Sequence, residues 1–247
     1  YEKLVFSNDN IERHELHKIA VTASDDPFRY LSATPHSIPP AEAPACADEG
    51  RQLQTAFECF DWQRPDVDPK LLIGFIACAT IFNVLDFRPH LAVTAERGAG
   101  KSTLVRCVVN LLGRDTNCLH IEADATTEPG LRQTLGFDAL PVIADEFETN
   151  GPHVRALLML FRLASNPSGG SILKGSADGK TPQGYTPRTC ALVAGITINF
   201  ENAADATRFA VVEIIKRPHR EEQRTALKSS FESYGAEAGA RLARRMI

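Results

Sequence analysis

Residues 89–103 read PHLAVTAERGAGKST, and this stretch decides the fold class. Residues 89–95 form an apolar run typical of a buried strand, and residues 101–112 repeat apolar side chains at helical spacing. The two glycines between them, Gly98 and Gly100, allow a tight turn with backbone conformations that a β-carbon disfavours. The stretch therefore predicts a strand, a glycine-rich turn and a helix in direct succession.

The rest of the chain continues this alternation of strand and helix patterns. Apolar strand patterns occur at residues 118–123, 140–146, 190–199 and 208–214. Helical patterns occur between the first three of them, at residues 128–135 and 154–164. Residues 171–176 and those around Tyr185 predict a hairpin with a glycine-rich, polar tip. Strands that alternate with helices are typical of a parallel sheet covered on both faces, so we predict an α/β fold of three layers.

Outside this alternating centre the sequence changes character. The chain divides into an N-terminal segment with a proline-rich linker (1–50), a helical segment (51–87), the α/β core (88–217) and a C-terminal helical pair (218–247). In the helical segment we predict Asp68 as the cap of a helix that has Pro69 at its first position and extends to about Asp86. Because the chain begins at Tyr1 rather than Met, we expect it to be part of a longer polypeptide.

The composition indicates a globular protein. The 247 residues carry 27 Lys+Arg against 31 Asp+Glu, a formal net charge of −4, and 43% of them are hydrophobic. These values exclude a disordered acidic tail and a histone-like basic wrapper. The apolar run 71–85 has fifteen residues, short of the roughly 20 that a membrane span needs. We therefore expect a buried helix there and no membrane partner.

The cysteine pattern contains neither a C-x-x-C pair nor a cysteine–histidine set at zinc spacing. We expect reduced, mostly buried thiols in a cytoplasmic protein. The six cysteines are Cys46, Cys59, Cys78, Cys107, Cys118 and Cys190.

The glycine-rich turn has the residue types of a phosphate-binding loop, except that Ala95 stands where the strict pattern has glycine. Backbone N–H groups of such a loop and the positive end of the following helix attract phosphate oxygens. Lys101 would contact the β- and γ-phosphates and the Ser102 hydroxyl would ligate Mg²⁺. We therefore predict that ATP and Mg²⁺ bind here. The loop residues are Ala95, Glu96, Arg97, Gly98, Ala99, Gly100, Lys101, Ser102 and Thr103.

A second acidic signal follows the apolar run LPVIADE at residues 140–146. Asp145 would hold Mg²⁺ through water, and Glu146 would polarise the attacking water as a general base. Adjacent residues of a strand point to opposite sides, so we expect the two carboxylates to have separate roles. The pair Glu122 and Asp124, at the end of the preceding strand, is the alternative.

These motifs and their order resemble the ATPase modules of phage and mobile-element primase-helicases. More distantly they are similar to the superfamily 3 and AAA+ hexameric helicases. The resemblance covers about residues 60–217 and is carried by FRPHLAVTAERGAGKSTL, ATTEPGLRQTLG, LPVIADEFE, ILKGSADG and DATRFAVVEI. It implies a P-loop NTPase fold and an ATP-dependent DNA helicase or translocase motor that hydrolyses ATP at subunit interfaces. It also implies single-stranded DNA as a partner, a homo-oligomer that forms a hexameric ring, and primase or other replication domains on the same full-length chain. The cell would be bacterial or phage-infected.

The resemblance adds two catalytic residues to Lys101 and Glu146. Asn199 would be a polar sensor of the γ-phosphate at the end of the strand beside the acidic strand, with Thr197 as the alternative. Arg208 would be an arginine finger that reaches the nucleotide of a neighbouring subunit. The related helicases often have two arginines at this point, and here Arg217 is the substitute.

The resemblance also implies a DNA contact in the predicted hairpin. Lys174 and Lys180 would donate to nucleic-acid phosphates inside the ring, supported by Arg188, and the intervening glycines would let the backbone approach. A net charge of −4 is compatible with this role, because only the loops that line a channel need to be basic.

Three other functions share some of these motifs. A DNA-loading or packaging ATPase shares all of them. A nucleotide-gated assembly module would bind ATP and oligomerise but turn over slowly. A small-molecule kinase agrees less well with the long, basic, glycine-rich stretch between the acidic strand and the sensor strand.

Overall fold

The computed structural model describes residues 47–113, 117–136, 138–148, 151–166, 172–174, 183–198, 200 and 202–216. The predicted proline-rich linker lies almost wholly outside this part of the chain, and the predicted C-terminal helical pair lies wholly outside it. Within the described ranges, no helical segment combines the length and the apolar character of a membrane span.

Six α-helices and seven strands lie in the described part of the chain, in the order that the sequence predicts except for the short helix α6, which it did not predict. The helices are α1 Ala47–Glu58, α2 Asp68–Ile81, α3 Lys101–Leu112, α4 Glu128–Leu135, α5 Pro152–Ala164 and the short α6 Ala203–Ala206. The strands are β1 His90–Ala95, β2 Leu119–Glu122, β3 Val142–Asp145, β4 Ile172–Lys174, β5 Gln183–Tyr185, β6 Ala191–Gly195 and β7 Phe209–Ile214.

Five of the strands form one parallel sheet in the order β2-β3-β6-β1-β7. All five carboxyl ends therefore meet at one edge, where the residues that follow β1 and β3 come together with β6 between them. The predicted hairpin is confirmed as well, since β4 and β5 pair antiparallel in a separate two-stranded sheet. The main sheet confirms the predicted parallel α/β fold.

Helices cover both faces of the parallel sheet. Alternate residues of β1 explain this, because Leu91 and Val93 pack in a core with α1, α2 and α3, whereas Ala92 packs with α4 and α5 on the other face. Every residue of β6 is buried, as expected for a strand with neighbours on both edges and helices on both faces. The three-layer arrangement follows the predicted one.

The start of α2 differs from the prediction in one respect. Asp68 is the first residue of the helix rather than its cap, and Val67 precedes it without a capping side chain. The buried Asp68 carboxylate instead accepts hydrogen bonds from the backbone N–H of Arg64, at 3.1 Å, and from its Nε, at 2.8 Å. A charged partner four residues earlier in the chain thus uses the carboxylate that was expected to cap the helix. The helix also ends earlier, at Ile81, where a 3-10 turn at Phe82–Val84 follows.

The chain between α1 and α2 is attached to the carboxyl end of β7. Trp62 forms an antiparallel bridge with Ile214, and the Ile215 N–H donates to the Asp61 carbonyl at 2.7 Å. The indole of Trp62 is buried and donates to the Phe57 carbonyl at 2.7 Å. The segment that precedes the α/β core along the chain therefore packs against the same sheet edge as the glycine-rich turn.

Candidate functional site

The turn between β1 and α3 has the conformation that its glycines permit. Gly98 and Gly100 have φ angles of 81° and 109°, values that residues with a β-carbon rarely adopt. The Ala99 N–H donates to the Glu96 carbonyl at 3.0 Å and closes the turn. Because Gly100 is the N-cap of α3 and has no side chain, the N–H groups of the first helical turn are not capped by it. The turn therefore presents N–H donors at the positive end of a helix.

The replacement of glycine by alanine at the start of the pattern has a simple structural basis. Ala95 is the last residue of β1, is buried, and pairs with Ile214 of β7 in a regular parallel ladder. An extended residue does not need glycine. Of the remaining loop residues, Glu96, Arg97, Gly98 and Ser102 are exposed, Thr103 is half-buried, and Ala99 and Lys101 are buried.

Lys101 connects the turn to the acidic strand. Its Nζ donates one hydrogen bond to Oδ1 of Asp145 and a second one to Oε1 of Glu146, the latter at 3.0 Å. Burial is the largest single influence on the pKa of Lys101 and lowers it, but the two carboxylates together outweigh burial and raise the pKa above its usual value. The lysine is therefore held in its charged form. Of the competing pair, Glu122 is the last residue of β2, an edge strand beyond β3, Asp124 follows that strand, and both side chains are exposed.

Strand alternation predicts that the two adjacent acids point to opposite sides, but in the structure they do not. Among the described residues, Glu146 is the only non-glycine residue with a positive φ, at 49°. This left-handed residue turns the chain directly after β3 and brings the Glu146 carboxylate to the same lysine nitrogen as Asp145. Its N–H also donates to Oδ1 of Asp145 at 2.9 Å. A left-handed non-glycine residue costs about 1–3 kcal/mol, and such strain is often found at functional sites.

Strand β6 holds this turn in place from between β1 and β3. The Phe147 N–H donates to the Ala194 carbonyl at 2.8 Å, and the Phe147 ring is fully buried. A β-carbon at Gly195 would lie 2.4 Å from the Phe147 carbonyl oxygen, so only glycine allows the two segments to approach this closely. The exit of β6 and the exit of β3 are therefore packed backbone to backbone.

Glu148, which was not among the residues predicted from the sequence, strengthens the same junction. Its Oε1 accepts the Ile196 N–H at 2.8 Å, and its Oε2 accepts the Thr197 N–H at 3.4 Å. These bonds fix the backbone that leads from β6 toward the predicted sensor. Thr197 is exposed at this edge, whereas Asn199 lies outside the described residues. An acid three residues after Asp145 was the only signal that the sequence offered.

A second lysine reaches the glycine-rich turn. Lys216 follows β7 by two residues, and its Nζ would lie 3.6 Å from a β-carbon built on Gly98. No sequence motif names Lys216, and its place just after a predicted strand of the sheet was the available signal. Phe60, from the segment after α1, lies against Gly100 in the same way, 3.4 Å from a β-carbon at that position.

Arg208 lies at the amino ends of the sheet strands, whereas the turn lies at their carboxyl ends. It precedes Phe209, the first residue of β7, and Phe209 pairs with His90 at the start of β1. Its Nε donates to Ser165 Oγ at 3.1 Å, and its Nη1 donates to the Ala204 carbonyl at 2.6 Å. A strand of six residues separates the two edges by about 20 Å. Arg208 therefore does not belong to the Lys101 site of its own chain, and Arg217 lies outside the described residues.

The predicted DNA-contacting residues are described only in part. Lys174 ends β4 opposite Gln183, but its side chain and all of Lys180 lie outside the described residues. Arg188 is exposed in the segment between β5 and β6.

The hairpin is attached to α4. The Arg132 guanidinium lies 5.7 Å from the centre of the Tyr185 ring, and burial raises the pKa of Tyr185 to about 12. Arg132 also pairs with Glu128 at 3.5 Å, and both side chains are less than one-fifth exposed. Tyr185 of the hairpin therefore covers part of the α4 face that carries Arg132.

The thiols follow the expectation in part. Cys107, Cys118 and Cys190 are buried, Cys78 is half-buried and Cys59 is exposed, and none of these five is in a disulfide. Burial raises the pKa of the Cys190 thiol well above its usual value. The described part of the chain contains no cluster of three or more His, Cys, Asp or Glu side chains that could hold a metal ion.

No family model matches the sequence, and no curated protein matches it. Among solved structures, the fold is similar to the apo A form of the NrS-1 C-terminal region, with a TM-score of 0.47 and 15% sequence identity. The match covers 83% of this chain and 48% of that one, so this chain spans about half of its length.

Proposed function

We propose that this chain is an ATP-hydrolysing motor that moves on single-stranded DNA, as a helicase or translocase in a phage-type replication protein. The observation that carries the proposal is the contact of one buried lysine, Lys101, with the carboxylates of Asp145 and Glu146 at the edge where β1 and β3 end. A charged lysine, a glycine-rich turn and paired acids at this edge are the chemistry that phosphoryl transfer requires.

The residues at this edge suit a magnesium nucleotide. A phosphate chain would be held by the N–H groups of the turn, where Gly98 and Gly100 leave room for the backbone to approach it. Ser102 and Asp145 would hold Mg²⁺, which when bound would neutralise charge on the phosphate oxygens. The two carboxylates keep Lys101 protonated. When a nucleotide binds, Lys101 can give up its hydrogen bonds to them and donate to phosphate oxygens instead.

Glu146 is the residue best placed to act on water. Its side chain is half-exposed, in contrast to that of Asp145, which is about nine-tenths buried. A partly solvated carboxylate at the mouth of the site, such as Glu146, can accept a proton from a water molecule. The buried carboxylate of Asp145 beside it can hold Mg²⁺ instead. The left-handed turn after β3 therefore supports the division of roles between the two acids.

In a ring motor, movement on DNA depends on coupling between neighbouring subunits. Arg208 lies at the far edge of the sheet, so the finger role proposed for it is a role toward the nucleotide of a neighbouring subunit. A ring, for which we propose six subunits, would supply that neighbour. The lysines of the hairpin would then contact the single-stranded DNA inside the ring. The monomer alone is then expected to hydrolyse ATP at least 10³-fold more slowly than the ring.

The proposal is tested by the ATPase rate with and without single-stranded DNA, measured alongside the size of the particle with a non-hydrolysable ATP analogue. DNA-stimulated turnover by a nucleotide-dependent oligomer is the expected result. A strictly monomeric protein whose turnover ignores DNA would refute the motor. Stimulated hydrolysis without strand separation would favour DNA loading or packaging, and slow turnover in a stable oligomer would favour the assembly module.

A further inference from the structure

Lys216 is the second cation at the glycine-rich turn. Its Nζ and Cε would lie 3.6 Å and 3.8 Å from a β-carbon on Gly98, so the ammonium group stands directly over the exposed middle of the turn. It approaches from β7, whereas Lys101 approaches from α3. The two lysines therefore reach the same turn from different elements of the sheet edge.

The backbone beside Lys216 is held in place. The preceding residue, Ile215, donates its N–H to the Asp61 carbonyl at 2.7 Å, and Ile214 is bridged to the buried Trp62. Ile214 also pairs with Ala95, the residue with which the turn begins. The strand end that carries Lys216 is thus fixed between the turn and the chain that follows α1.

The charges at the site favour a second cation near the turn. Lys101 faces two carboxylates, so this group of three has a net negative charge and by itself repels phosphate. Within the described part of the chain, Lys216 is in no ion pair, and its side chain is exposed. Its positive charge is therefore directed at the turn rather than neutralised by a neighbour.

We propose that Lys216 is a phosphate-binding residue of the nucleotide site, an inference that rests on the proposed function. It acts within its own chain and contacts the α- and β-phosphates, because the glycine-rich part of such a turn holds these groups while the lysine of the helix reaches further along the chain of phosphates. ADP and ATP share the α- and β-phosphates. Lys216 therefore sets the affinity for both nucleotides and does not distinguish between them.

The test is the dissociation constant of a fluorescent ADP analogue and of a non-hydrolysable ATP analogue, both with Mg²⁺. Lys216→Ala is expected to weaken both by about 10-fold at low salt, as loss of one charge-assisted hydrogen bond would do. The difference should shrink at high salt, and Lys216→Arg should recover most of the affinity. Arg106→Ala is the matched control, because this exposed cation lies about 140° around α3 from Lys101 and should leave both constants unchanged.

The outcomes separate this inference from the function on which it rests. If the unaltered chain binds neither analogue, the nucleotide site itself is refuted. If the unaltered chain binds both and Lys216→Ala binds them equally well, the role of Lys216 is refuted and the site stands. A loss confined to the ATP analogue would refute the contact with the α- and β-phosphates. Since the side chain is exposed, the melting temperature of Lys216→Ala should match that of the unaltered chain.

Discussion

Glu146 Oε1 lies 3.0 Å from Lys101 Nζ, although the two residues come from different elements and the strand pattern predicts that Glu146 points away from Asp145. The contact exists because Glu146 has a left-handed backbone. A half-exposed carboxylate is thereby held at the mouth of a site whose only other acidic partner for Lys101, among the described residues, is buried Asp145.

We predict that Glu146→Gln binds ATP but hydrolyses it at least 100-fold more slowly. Glutamine has nearly the same size as glutamate and leaves Lys101 and the glycine-rich turn in place, so binding is retained, but an amide cannot take a proton from water. The measurement is the single-turnover rate together with the dissociation constant for ATP. Glu122→Gln is the matched control, since Glu122 is exposed and lies in register with Asp145 on the next strand. Near-normal hydrolysis by Glu146→Gln would remove Glu146 from its role.

The fold could be predicted from local patterns because its elements are separated by clear breaks. The strand before Gly98 and the helix that ends at Gly113 are examples, since both glycines have the positive φ angles that their positions require. That β3 and β6 are neighbours was expected only from the resemblance to helicase modules, because no local sequence pattern indicates which strands pair. The end of β6 was placed too late, because apolar residues continue after Gly195 although the strand pairing stops there.

The candidate site was predictable only where a motif names the residue. Lys101 and Asp145 belong to such motifs and do meet. The left-handed Glu146 and the approach of Lys216 to Gly98 arise from the packing of segments distant in the chain, which no pattern along the sequence records. The same is true of Glu148, whose partners lie 48 and 49 residues further along the chain.

We predict that Glu148→Ala lowers the turnover number about 10-fold while the dissociation constant for ATP changes little. The carboxylate holds the backbone of Ile196 and Thr197, which leads to the predicted sensor residues, and is not itself at the turn. A residue that only stabilises the fold would lower the melting temperature without this separation of the two constants. Glu148→Gln keeps an acceptor for one N–H and should recover part of the turnover. An unchanged turnover number in Glu148→Ala would contradict the positioning role.

We predict that the double variant Lys174→Glu and Lys180→Glu loses stimulation by DNA and keeps its basal ATPase rate. Both lysines belong to the hairpin region, and reversing two charges replaces attraction to phosphates by repulsion. The measurements are the DNA dissociation constant at two salt concentrations and the ATPase rate with and without DNA. Lys70→Glu, on the exposed side of α2, is the control for reversal of a lysine charge outside the hairpin. If DNA affinity is unchanged in the double variant, the hairpin is not the contact.

His90, at the first position of β1, has hydrogen bonds that define its tautomer. Its Nδ1 accepts the Ala191 N–H at 2.9 Å, and its Nε2 lies 2.8 Å from the Phe161 carbonyl oxygen, which can only accept. The ring is therefore neutral, with its proton on Nε2, and it stacks on Phe209 at 5.1 Å. Burial is the main cause that lowers its pKa to about 4, with the nearby charges of two arginines acting in the same direction.

We predict that the fold loses stability as the pH falls from 6.5 to 4 because of His90. In this range the unfolded chain, in which His90 has a pKa near 6.5, binds a proton that the folded chain excludes, so the free energy of unfolding falls with falling pH. The full effect of this one group is on the order of 3 kcal/mol, of which about 2 kcal/mol is lost between pH 7 and pH 5. Denaturant unfolding of the unaltered chain and of His90→Gln at both pH values isolates the effect, because glutamine does not titrate. A ring resonance that titrates near pH 6.5 in the folded protein, or equal pH dependence in the two chains, would show that His90 is not held neutral.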